Sequence, residues 1–141
     1  MRVKISSRDI TFDIEITGKY TIVVGESGTG KTRLAAVCGL VSMGAASVEP
    51  STVKVYGVSE NSVFPAEALA KETGALFVVD ESHLKHMRDS GMSSILNSNN
   101  YFVILTRDGS GHVPYGLDNV VKLVGSSKHK RPVPYDGVFY L

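Results

Sequence analysis

Between residues 10 and 16 the apolar side chains Ile10, Phe12, Ile14 and Ile16 alternate with Thr11, Asp13 and Glu15, the period of a strand with one buried face. The pattern predicts a strand at the sheet edge, joined by a turn at Gly18 and Lys19 to an almost unbroken apolar run, Tyr20-Thr21-Ile22-Val23-Val24. Such a run fits a central strand covered on both faces. After Gly25 comes a glycine-rich stretch. Residues 32–43 then carry Leu34, Ala35, Val37, Cys38 and Val41 at helical spacing, with Gly44 as the stop.

The alternation continues down the chain. Residues 53–58 read as a strand, a helix opens at Pro65 with Ala66, Leu69 and Ala70 and ends at Gly74, and Leu76-Phe77-Val78-Val79 reads as a strand again. A helical segment over 82–97, broken near Gly91, precedes strands over 101–105 and 120–124. Strands separated by helices need crossover connections. The expected class is therefore α/β: a three-layer sandwich on a mainly parallel sheet of about five strands, with an N-terminal antiparallel edge strand or hairpin. Residues 1–141 read as one domain, with 1–19 the edge region, 20–125 the core and 126–141 a tail holding Pro132 and Pro134 that no pattern assigns.

Composition narrows the classes. Of 141 residues, 43% are hydrophobic and 21% charged, enough to bury a core and too little charge for a disordered chain. Fifteen basic against fourteen acidic residues leave a net charge of +1, so no global field draws the chain to nucleic acid or anionic lipid and any partner is recognised locally. Cys38 alone forms neither an internal disulfide nor a zinc cluster, and no apolar run has signal-peptide or membrane-spanning length. The expectation is a cytoplasmic chain with no membrane span.

Three segments carry chemistry. Gly25-Glu26-Ser27-Gly28-Thr29-Gly30-Lys31-Thr32 matches G-x-x-x-x-G-K-[ST] between a strand and a helix. Its glycines let the loop turn around an anion, so that main-chain N–H groups and the positive end of the following helix meet phosphate. Lys31 adds a mobile charge for the terminal phosphates, Thr32 a hydroxyl for Mg²⁺, and Arg33 joins the nucleotide-binding set. The second segment is the apolar strand ending in Asp80 and Glu81. Asp80 is expected to share Mg²⁺ with Thr32 and Glu81 to polarise a water facing the γ-phosphate, although the same pair suits a helix N-cap and first-turn acid. The third is the strand ending in Thr106-Arg107-Asp108, with a hydroxyl for the attacking water and a guanidinium for charge on the γ-phosphate. Its plainer reading is a strand-end turn with an exposed ion pair.

Together these segments resemble the P-loop NTPases with an additional catalytic glutamate, the group of ABC-type ATPases, AAA+ proteins and RecA-like motors. Residues 25–32 correspond to its Walker A motif and residues 77–81 to Walker B. The resemblance implies that the strand ending at Thr106 lies between the other two. It is nearest an ABC-type core, but Lys31 and Asp80 are too close in sequence to admit the ABC helical subdomain, no LSGGQ-like signature precedes Asp80, and no AAA+-type lid follows Val124. It implies an Mg²⁺-dependent ATP-binding protein, a slow ATPase that splits the β–γ phosphoanhydride. Lys31, Glu81, Thr106 and Arg107 would be catalytic, Gly25, Glu26, Ser27, Gly28, Thr29, Gly30, Lys31, Thr32 and Arg33 nucleotide-binding, and Thr32 with Asp80 metal-binding.

The alternative is a nucleotide-dependent regulatory or partner-binding module with little turnover. A GTPase would need D-x-x-G and N-K-x-D, and a small-molecule kinase an arginine-bearing lid, which residues 108–119 lack. A protein partner or homo-oligomer is compatible with the chain. Lys128-His129-Lys130-Arg131 reads as a solvated loop or a nucleic-acid contact, and His83 and His86 as solvated helix residues rather than zinc ligands. Tyr20 and Phe12 read as packing or adenine-flanking rings, and Met43, Met87 and Met92 as packing residues.

Overall fold

Val3 and Ile5 are fully buried while Arg2 and Lys4 are exposed, so the chain enters as a strand, β1 (Arg2–Ser6), that precedes the first expected one. The computed structural model describes residues 1–25, 31–58, 66–80, 98–106 and 120–134, with Lys31, Thr32 and Ala66 described by backbone only. Following β1 are β2 (Thr11–Glu15), β3 (Tyr20–Val24), α1 (Lys31–Val41), β4 (Ser47–Glu49), β5 (Val55–Val58), α2 (Ala66–Lys71), β6 (Leu76–Asp80), β7 (Tyr101–Thr106), β8 (Val120–Gly125) and β9 (His129–Pro134). About half of the described residues are in strands. The expected helix over 82–97 lies outside the described residues apart from its surroundings at 80 and 98.

The nine strands among the described residues form one sheet in the order β4-β1-β2-β9-β8-β3-β7-β6-β5. The strands β8, β3, β7, β6 and β5 run parallel, and β7 lies between β3 and β6. β9 pairs antiparallel with β8 and parallel with β2, and β1 pairs antiparallel with β2 and β4. Seven strand steps separate β1 from β5, about 34 Å in a flat sheet at roughly 4.8 Å per step. Yet α1, a cylinder only about 10 Å across, packs on β5 and β6 and also touches β1. The sheet must therefore roll around α1 into a near-barrel. This overturns the three-layer sandwich on a five-stranded, mainly parallel sheet: among the described residues the sheet is mixed, has nine strands and dominates the fold, with two short helices.

The N-terminal hairpin is corrected too. β2 pairs on both sides, and β9 and β8 separate it from β3. Alternation at 10–16 reported that one face is buried, which Phe12 and Ile14 are, but the faces of a strand carry no information about its in-plane neighbours. The missed β9 holds two prolines, which argue against a central strand. They are accommodated because the pairing of β9 with β2 ends at Lys130, leaving Pro132 and Pro134 paired on the β8 side alone.

Two apolar clusters flank the sheet. The concave one joins Val3, Ile5, Phe12 and Ile14 to Leu34 and Cys38 of α1 and to Val78 and Leu105. On the other face Tyr20, Phe102, Phe77 and Tyr56 sit in register across four strands, with ring centroids 5.8, 5.7 and 5.0 Å apart, and Leu69 of α2 joins them. Phe12 and Tyr20 are thus packing residues, and Tyr20 stands at the amino end of β3, away from the glycine-rich segment. Met43, expected to pack, is 75% exposed. Among the described residues no helix is long and apolar enough to cross a membrane.

Candidate functional site

Parallel strands deliver their carboxyl ends to one rim, and helix-connected sheets bind ligands there. In register, Val24 of β3 lies beside Thr106 of β7, and Leu105 of β7 beside Asp80 of β6. The Gly25 N–H donates to the Thr106 carbonyl at 3.2 Å, so the pairing of β3 with β7 continues to the first residue of the glycine-rich segment. The sequence separates these residues by as many as 81 positions; the sheet brings Gly25, Thr106 and Asp80 to one level within two strand steps, about 10 Å.

Each residue has a distinct setting. Thr106 is 2% exposed, whereas Asp80 is half-buried, at the boundary between core and solvent. Lys31 and Thr32 begin α1, which places their main chain just beyond the loop. No acidic residue occupies the first turn of α1, so its partial positive charge is not neutralised from within the helix. Arg33 is exposed, and its Nη2 faces Asp9 Oδ2 in the turn between β1 and β2 at 3.9 Å. Glu26, Ser27, Gly28, Thr29, Gly30, Glu81 and Arg107 lie outside the described residues, as do His83 and His86.

No family model, curated protein or solved structure matches this chain. With the rolled nine-stranded sheet, this overturns the resemblance to the P-loop NTPases with an additional catalytic glutamate. A short sequence pattern fixes a loop, but it does not fix the strands added around it. The chemistry of the individual residues is a separate matter from family membership.

Mg²⁺ takes oxygen ligands, keeps several waters, and typically uses one or two carboxylates beside phosphate oxygens. The half-buried Asp80 carboxylate at the carboxyl end of β6 fits that demand. Among the described residues no group of three or more His, Cys, Asp or Glu side chains forms a protein-only cage. Cys38 is excluded from site chemistry: it is fully buried on α1, and burial pushes its thiol far above the usual range, which leaves it unreactive.

Sequence reasoning missed the neighbours of this rim. Because β1, β2 and β9 join the sheet, the turn at 7–10 and the turn at 126–128 lie at the same end as Gly25. The Thr11 N–H donates to the Lys128 carbonyl at 2.9 Å and ties the two turns together. The available signal was the basic run 128–131, which by itself reads as a solvated loop.

Proposed function

We propose that this chain binds MgATP at the carboxyl ends of β3, β7 and β6 and hydrolyses it slowly. The observation that carries this reading is the register that brings Gly25, Thr106 and Asp80 to one level beside the start of α1. A G-x-x-x-x-G-K-[ST] segment between a strand and a helix is suited to wrap a polyphosphate with main-chain donors. Lys31 would hold the terminal phosphates. Thr32 and Asp80 would hold Mg²⁺, which offsets phosphate charge when bound. Glu81 would accept a proton from an attacking water, and Thr106 and Arg107 would contact the γ-phosphate. Arg33 would add positive charge at the mouth rather than a direct contact, since Asp9 already draws it toward the neighbouring turn.

Isothermal calorimetry with ATP and Mg²⁺ tests the binding claim. Lys31→Ala should weaken binding at least a hundredfold, about 2.7 kcal/mol, and unchanged affinity would overturn the proposal. Phosphate release tests the chemistry. Glu81→Gln should retain binding and lose turnover, whereas unchanged turnover would reduce Glu81 to a helix-capping acid.

A further inference from the structure

Side chains along β9 point to the two faces of the sheet in turn, and this separates Lys130 from its basic neighbours. Lys130 pairs with Phe12 of β2 and with Gly125 of β8. Phe12 belongs to the concave cluster, so Lys130 shares the side on which α1 lies, while His129 and Arg131 point to the outer face. Lys130 is half-buried there, and its Nζ donates to the Gly125 carbonyl at 3.4 Å. An ammonium has three donors, and none of the described ion pairs gives this one a carboxylate. The turn that returns Lys130 to the sheet is held in shape: Ser126 Oγ accepts the N–H groups of Lys128 and His129 at 3.3 and 3.1 Å, and Gly125 has φ +128°, where a Cβ would strike the His129 carbonyl.

Register fixes where this residue stands relative to the candidate site. β8 runs parallel to β3 with Val121 beside Val23, so Gly125, and Lys130 paired with it, lie two residues beyond the level of Gly25, about 7 Å. Lys130 is thus past the exit of β3 and two strand steps, about 10 Å, to one side of it. Asp80, two residues after Val78 of the same concave cluster, stands two strand steps to the other side. We propose that Lys130 is a second phosphate-binding lysine of the nucleotide site, contacting the triphosphate from the β9 side while Asp80 serves Mg²⁺ from the β6 side. The inference rests on the MgATP reading and extends it to a residue outside the three motifs. MgATP is still an anion after the metal binds, and an ammonium on a flexible four-carbon stem, with donors to spare, suits its phosphate oxygens. Arg131, one residue on, points to the other face and takes no part.

Isothermal calorimetry of the full chain with MgATP tests it. Lys130→Gln should weaken binding about tenfold, Lys130→Arg should retain most of the affinity because the charge remains, and Arg131→Gln, on the outer face, should bind as wild type. MgGTP should lose the same factor in Lys130→Gln, since the contact is to phosphate and not to the base. Acetylation of the wild-type chain by acetic anhydride, read by mass spectrometry, needs no variant and covers the case in which Lys130→Gln fails to fold: saturating MgATP should protect Lys130 and leave the labelling of Lys128 unchanged. No binding of MgATP by the wild-type chain would remove the nucleotide reading and this inference with it. With wild-type binding in place, unchanged affinity in Lys130→Gln, an equal loss in Lys130→Arg or in Arg131→Gln, a loss confined to ATP, or an unprotected Lys130 would each overturn the inference alone.

Discussion

Replacing Gly57 by alanine puts a methyl group where α1 lies directly on β5. A Cβ at this position would run into the Ala35 carbonyl oxygen and the Gly39 nitrogen, and would stand 2.9 Å from the Cys38 carbonyl carbon. All three are backbone atoms of α1, so no side-chain rotation relieves the clash. To reach ordinary contact, at 3.4 Å or beyond, the helix must retreat by more than about 0.5 Å, a gap that forfeits a quarter or more of each dispersion contact left behind. The helix has little room to retreat, because the sheet rolls around it and β1 touches its other side. Overpacking of this kind costs about 1–3 kcal/mol, and the lower chain entropy of unfolded alanine returns about 0.4–1 kcal/mol. The expected net loss is about 1.3 kcal/mol. In urea, with a slope of about 2 kcal/mol/M, the midpoint should fall by about 0.6 M. Gly39, although it touches Gly57, is the control of opposite sign: a Cβ there meets nothing within 4 Å, so Gly39→Ala should gain about 0.5–1 kcal/mol from helix propensity. A midpoint that is unchanged or raised in Gly57→Ala would refute the close packing of α1 on β5.

Asn100, 2% exposed, accepts the Ala75 N–H at 3.0 Å through Oδ1 and donates to the Leu69 carbonyl at 3.2 Å through Nδ2. Asn100→Ala strands both buried groups at about 1–3 kcal/mol each, and thermal unfolding should fall by roughly 10 °C; an unchanged midpoint would contradict this. On the exposed face, Arg2 donates to Asp13 through Nε at 2.8 Å and Nη2 at 2.6 Å, which holds the Asp13 carboxyl below its ordinary range. A carboxyl depressed in the folded state contributes stability above its unfolded pKa of about 3.9 and loses that contribution as pH falls through its folded value. Arg2→Ala should therefore lower the urea midpoint only slightly at neutral pH, since Arg2 is largely exposed, and almost not at all at about pH 2. Equal losses at both pH values, read from urea midpoints, would assign the effect to packing.

The candidate site was legible at its motifs and not at its surroundings. Gly25, Asp80 and Thr106 each end an apolar run, and strand ends that share a direction share a rim. Their register, and hence their common level, came from hydrogen bonding between strands far apart in sequence. Arg33 was legible as a neighbour of the glycine-rich motif, but its ion pair with Asp9 was not, since that contact exists only because α1 lies beside the first turn.

Periodicity by itself determined the type of most elements, because the burial of side chains on a helix or strand repeats along the chain: β2, β3, α1, β5, α2, β6, β7 and β8 all lie within or beside their expected spans. Only the tertiary structure decided the fold. Strand pairing joins backbone groups that every residue except proline carries in the same form, so neither β1 beside β2 nor β9 between β2 and β8 is encoded in any local pattern. The rolling of the sheet around α1 follows from which strands pair and from how closely Gly57 lets the helix approach, a contact between residues that no window of sequence contains together.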